Sequence, residues 1–155
     1  MEINVLMEKG LKRSLDRGWL KSLAEKVLVA QGVSQNTELS LVIVSQERIQ
    51  ELNLTYLRRN RPTDVLAFSM LPREGRVDFV PAPDGIPHLG EIIISYPQAV
   101  IQATEHHHPI EKEIAILTIH GVLHLLGYDH NKPELEEKMK AREKEILGYI
   151  KGEIA

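Results

Sequence analysis

The chain has 155 residues, 43% of them hydrophobic and 26% charged, with a formal net charge of −3. That length fits one compact domain over residues 1–155, with a core that removes about two-thirds of the unfolded surface from water. No run of about 18 apolar residues is present, which excludes a transmembrane helix; the absence of cysteine excludes disulfides and leaves His, Asp and Glu as metal ligands.

"INVL" at residues 3–6 suits a short strand. No long apolar segment follows a basic start in "MEINVLMEKGLKRS", so no signal peptide is expected and a cytoplasmic location is the default. Residues 18–31, "GWLKSLAEKVLVAQ", carry Leu20, Leu23, Ala24, Val27 and Leu28 at helical spacing, and Gly32 follows as a stop. "ELSLVIVS" at 38–45 is β-branched and reads as a strand. A short helix from Ser45 to about Leu54 follows, with Ile49 and Leu52 inward. "DVLAFSM" at 64–70 is the next strand. Residues 72–87 hold four of the eight prolines and are mostly loop, with "RVDFV" as a possible brief pairing. "GEIIISY" at 90–96 is an apolar strand, and Pro97 opens a helix to about Glu105. Pro109, Glu111 and Glu113 suit the first turn of another helix. Residues 114–126 are apolar nearly all round, as a buried central helix requires, and Gly127 supplies a left-handed stop. A last amphipathic helix at about 133–150 turns Leu135, Met139, Ile146 and Ile150 inward and leaves a mixed Glu/Lys face in water. The pattern predicts an α+β domain: a small mixed four-stranded sheet packed by helices around a central histidine-bearing helix.

Six of the seven histidines fall between positions 106 and 130. In "HGVLHLLGYDH", His120 and His124 are four residues apart and share one helical face. Gly127 lets the chain turn back so that His130 closes the group. Three neutral imidazoles leave one position open, the pattern of a catalytic rather than a structural zinc site. The alternative is that these are core histidines, but burying several imidazoles without partners is costly. Gly121 stands where the protease pattern H-E-x-x-H has its glutamate, and serves either close packing against the sheet or clearance for substrate. Asp129 either orients a histidine or contacts metal-bound water, or else caps the following helix or shapes the turn. The run His106-His107-His108, before Pro109, reads as a solvent-exposed turn, because consecutive histidines point in different directions. His88 is a weak ligand candidate.

"HGVLHLLGYDH" together with "ELNLTYLRRNRPTDVLAF" (51–68) and "LGEIIIS" (89–95) resembles the YbeY family of bacterial metal-dependent endoribonucleases. The match runs from about residue 39 onward. The resemblance implies a single-domain zinc protein acting on single-stranded RNA, with one ion on His120, His124 and His130. It also implies roles in 16S ribosomal RNA 3′-end maturation and ribosome quality control, with the rRNA precursor and the ribosome as partners. The family carries a functional arginine directly after the aromatic residue of the upstream block. Here that position is Leu57, and Arg58 is the candidate for the catalytic role. A Gly-Asp pair of the family is Gly90-Glu91.

RNA cleavage accommodates the missing glutamate. The substrate carries its own 2′-hydroxyl, and a metal can polarise a phosphoryl oxygen or lower the pKa of bound water to about 7. Arg58, Arg59 and Arg61 form the densest basic cluster and are the expected phosphate contacts. Lys9, Lys12, Arg13, Arg17, Lys21, Arg73 and Arg76 are further basic positions. With aromatics at only 5%, binding led by phosphate contacts is expected over base stacking. The competing expectations are a metal-dependent hydrolase of another substrate, such as a peptidase with Glu91 or Asp129 as base, and a non-enzymatic ribosome-associated factor with a structural metal.

Overall fold

Four runs of alternating or continuous apolar residues pair into one sheet in the computed structural model, which describes residues 1–11, 15–70 and 88–150. The strands are β1 (Glu2–Met7), β2 (Glu38–Val44), β3 (Val65–Ser69) and β4 (His88–Ser95), in the order β1-β2-β4-β3. β1, β2 and β4 run parallel, and β3 pairs antiparallel with β4 as an edge strand among the described residues. The helices are α1 (Arg17–Ala30), α2 (Gln46–Leu57), α3 (Tyr96–Glu105), α4 (Ile110–Leu125) and α5 (Pro133–Tyr149). The expected α+β class and mixed four-stranded sheet are therefore present. The expected pairing in "RVDFV", and Lys12, Arg13, Arg73 and Arg76, lie outside the described residues.

Strand alternation divides the apolar side chains between two faces. Ile3, Val5, Leu39, Leu41, Ile43, Ile92 and Ile94 face α1 and α4 and form the main core. Val44, Leu66 and Ile93 face the other way, against Ile49 of α2. The five apolar positions predicted for α1 are all buried. α1 is capped by Asp16, whose carboxylate accepts from the Trp19 amide at 3.0 Å. α2 runs three residues further than expected, to Leu57, and is capped by the Ser45 hydroxyl. α3 starts one residue before Pro97, capped by Ser95. Leu135 is 38% exposed rather than inward; Met139, Ile146 and Ile150 alone carry the apolar anchoring predicted for α5.

Two glycines hold helix and sheet together. A Cβ at Gly121 would stand 2.7 Å from Ile92 Cγ2, so α4 sits so close to β4 that a side chain there would have to displace Ile92. Gly90 has φ +140°, where a Cβ would lie 2.1 Å from the Phe68 carbonyl oxygen, at the register shift between β2 and β4. α4 thus lies close on the sheet, with its C-terminal end over the β3/β4 edge, where the Ser69 hydroxyl donates to the Leu125 carbonyl at 3.4 Å.

Candidate metal centre

α4 ends in a left-handed turn. The Gly127 amide donates to the His124 carbonyl and the Tyr128 amide to the Leu123 carbonyl, with Gly127 at φ +99°. This reversal carries His130 back over the exit of the helix. Asp129 stabilises it by accepting from the backbone amides of His130 at 2.7 Å and Asn131 at 3.2 Å, and from the Asn131 side chain at 2.8 Å. Of the roles open to Asp129, shaping the turn is the one the contacts display, and the next helix, α5, has no side-chain cap.

The three rings meet there. His120 and His124 are 5.7 Å apart by ring centre, His124 and His130 5.5 Å, and His120 and His130 6.2 Å. Imidazole nitrogens about 2.0–2.1 Å from one tetrahedral ion place ring centres about 5 Å apart. The observed rings are slightly more open than that and close to it. His120 Nδ1 donates to Glu143 Oε1 of α5 at 2.9 Å. That bond fixes the tautomer and leaves Nε2 with its lone pair free for a ligand role, the usual support of a metal-bound histidine. His124 is held below the ordinary imidazole pKa, first by burial and then by the neighbouring His120 and His130, while Asp129 opposes the shift. Neutral imidazole is the form a metal takes. An open cavity of about 260 Å³, lined by His120, His130, Glu136, Met139, Lys140 and Glu143, adjoins the rings. The donor set and its carboxylate support are of the kind that takes one divalent transition-metal ion, with the ligand atoms spread wider than the 4.8 Å within which a ready-formed group would lie.

Glu143 was not singled out by sequence. It is one of several glutamates on a solvated helix, and no local signal separates it from Glu134, Glu136, Glu137 or Glu145.

The bases expected for a peptidase, Glu91 or Asp129, and a glutamate at position 121 are not placed for that role. Position 121 faces Ile92, so a glutamate there would have to displace it. Glu91 pairs with Phe68 in β3, and Phe68 packs on the α2 side of the sheet, away from α4. The Asp129 carboxylate is engaged with backbone amides.

The arginines occupy the far end of α2. Arg58 caps that helix in the left-handed conformation, φ 57°, with its amide on Leu54 O and the Arg59 amide on Asn53 O. Buried Asn53 holds the segment by donating to the Arg61 carbonyl at 2.9 Å. Leu57, Arg58, Arg59 and Arg61 are all exposed. Tyr56 packs on Phe68 with ring centres 5.4 Å apart. The C-terminal ends of α2 and α4 thus flank the same end of edge strand β3 from opposite faces. The segment that carries the arginines and the turn that carries the histidines therefore leave their helices at the same end of β3.

The histidine run is not a plain exposed turn. His107 adopts φ 54°, which turns His106 and His108 onto Glu113. Their ligand atoms all lie within 4.8 Å of one another, the one such group among the described residues. His88 instead sits beside Glu38, Nδ1 to Oε1 3.2 Å.

Fold and site together define a class: an α+β domain whose central helix and the turn after it gather three imidazoles, backed by a carboxylate, at one end of a sheet. The family described as Endoribonuclease YbeY matches residues 4–151, and the chain belongs to that family. It is 46% identical over 156 residues to the Endoribonuclease YbeY of Dehalococcoides mccartyi, covering 97% of this chain and 91% of that one. It is 43% identical over 130 residues to that of Bacillus cytotoxicus, 83% of each chain. Among solved structures, a Thermotoga maritima protein determined in solution is similar, with a TM-score of 0.57 at 31% identity over 97% of this chain and 92% of that one.

Proposed function

We propose that this protein is a single-strand-specific endoribonuclease that uses one divalent metal ion, with zinc the first candidate, on His120, His124 and His130. The observation that carries the reading is the meeting of these three rings over Glu143, in a chain whose relatives are named endoribonucleases. The substrate class follows: RNA, with the 16S rRNA precursor and the ribosome as cytoplasmic partners in 3′-end maturation and quality control.

Bound there, the ion supplies Lewis-acid polarisation of a phosphoryl oxygen or of its attacking water. The chain's own groups do the positioning. Glu143 orients His120 and keeps its proton on Nδ1. Asp129 folds the loop that presents His130. Burial keeps His124 neutral. Arg58, Arg59 and Arg61 bind phosphates at that end of β3, with Arg58 stabilising charge as it develops. A left-handed L-residue costs about 1–2 kcal/mol, which glycine would avoid. Arginine at position 58 despite that cost supports a role for its side chain.

The test is direct. Purified protein is assayed for bound metal and incubated with single-stranded RNA, duplex RNA and an unfolded peptide, alongside His124→Ala. Cutting of single-stranded RNA alone, lost on chelation and in His124→Ala, is the expected result. Intact RNA with metal fully bound sinks the enzymatic reading in favour of a structural metal. Each of Arg58→Ala, Arg59→Ala and Arg61→Ala should lower the salt dependence of RNA binding by about one unit of log–log slope.

A further inference from the structure

We infer that His106, His108 and Glu113 form a second, independent site for one divalent transition-metal ion. Glu113 is a carboxylate with only 2% of its side chain exposed. One of its oxygens accepts from the Gln102 amide at 2.8 Å. The other faces His108 Nε2 at 2.6 Å and His106 Nδ1 at 3.4 Å. All three ligand atoms lie within 4.8 Å. The His106 and His108 rings are 5.4 Å apart by centre, near the spacing of about 5 Å for two imidazoles on one tetrahedral ion.

A simple hydrogen-bonded pair needs one imidazole, and His108, 13% exposed, already supplies it. The structure instead brings a second ring to the same oxygen, through a left-handed residue at His107. His106 is 56% exposed, which leaves a route in for the ion and room for a water ligand. Gln102 holds the carboxylate from behind, as outer partners of metal ligands do. Two imidazoles and one carboxylate favour zinc, nickel or copper over magnesium or calcium. Glu113 and His120 are seven residues apart on α4, about 10 Å along the axis. The ions of a two-metal catalytic site stand about 3.5–4 Å apart, so this site is separate from the three-histidine centre. It does not depend on the RNA-cleavage reading.

Full-length protein stripped with chelator and titrated with Zn²⁺, by calorimetry and by metal content, tests it. Wild type should take up two ions per chain and His106→Ala one, with the circular dichroism spectrum unchanged. His124→Ala should still take up an ion, and His106→Ala in that background should weaken its binding at least about tenfold. Binding of Co²⁺ to His124→Ala should give a visible absorption band that His106→Ala removes. One ion in wild type, together with unchanged uptake in His106→Ala, overturns the site and leaves His108 and Glu113 as a hydrogen-bonded pair.

Discussion

Gly121 shows how one residue decides between chemistries. Its missing side chain is filled by Ile92, whose Cγ2 would stand 2.7 Å from a Cβ. Gly121→Ala gains about 1 kcal/mol of helix propensity. It also overpacks a site where Ile92 is fully buried, at about 1–3 kcal/mol. The net expectation is a loss of about 1 kcal/mol, read from the urea midpoint at unchanged slope. Gly121→Glu should be far more destabilising and should not confer peptidase activity, because its carboxylate points into the sheet. Glu143 acts the opposite way, as a residue remote in sequence that touches His120 directly. Glu143→Ala should weaken metal binding about 10–100-fold with the fold intact, measured by competition with a chromogenic chelator. His124 adds a pH term. Its folded pKa lies below the unfolded value of about 6.5, so the unfolded state binds the proton more tightly. Metal-free protein should therefore keep this contribution above about pH 6.5 and lose stability as pH falls below it. His124→Gln should flatten that part of the profile in denaturant titrations.

At the scale of elements, α5 is the weakly anchored partner of the site. Most of its residues are exposed, and its described buried side chains are Met139 and Ile146. Arg142 compensates: it donates to the Ala30 carbonyl at 2.7 Å and to the Gln31 side chain, at the C-terminal end of α1, and pairs with Glu145 at 3.0 Å. A cation there also complements the negative end of the α1 dipole. Hydrogen bonds to a charged group contribute about 1.5–3 kcal/mol. Arg142→Ala should cost about that much and should raise amide exchange in α5 before α4. Because α5 carries Glu143, the same variant should loosen metal binding without touching a ligand.

Across the whole molecule, the sheet sets what lies near what. The two faces separate α2 from α4, yet Tyr56 on Phe68 and Ser69 on Leu125 bring both helix ends to one end of β3. On the proposed function, a phosphate chain bound along that end would meet arginines on one side and imidazoles on the other. No helix among the described residues is long and apolar enough to cross a membrane.

Much of this was legible in the residues alone, because it rests on local geometry. The period of α1 named its five buried positions. The four-residue spacing of His120 and His124 followed from helical pitch, and Gly127 announced the turn that returns His130. The rest needed distant parts of the chain. Glu143 reaches His120 across 23 positions and resembles its neighbouring glutamates in every local respect. His106 and His108 converge only because His107 is left-handed and Glu113 waits, buried, on the next helix. Glu91 looked available as a base until strand pairing placed it on the α2 face. Periodicity states which way a side chain leaves its own element; only packing of one element on another decides what it meets there.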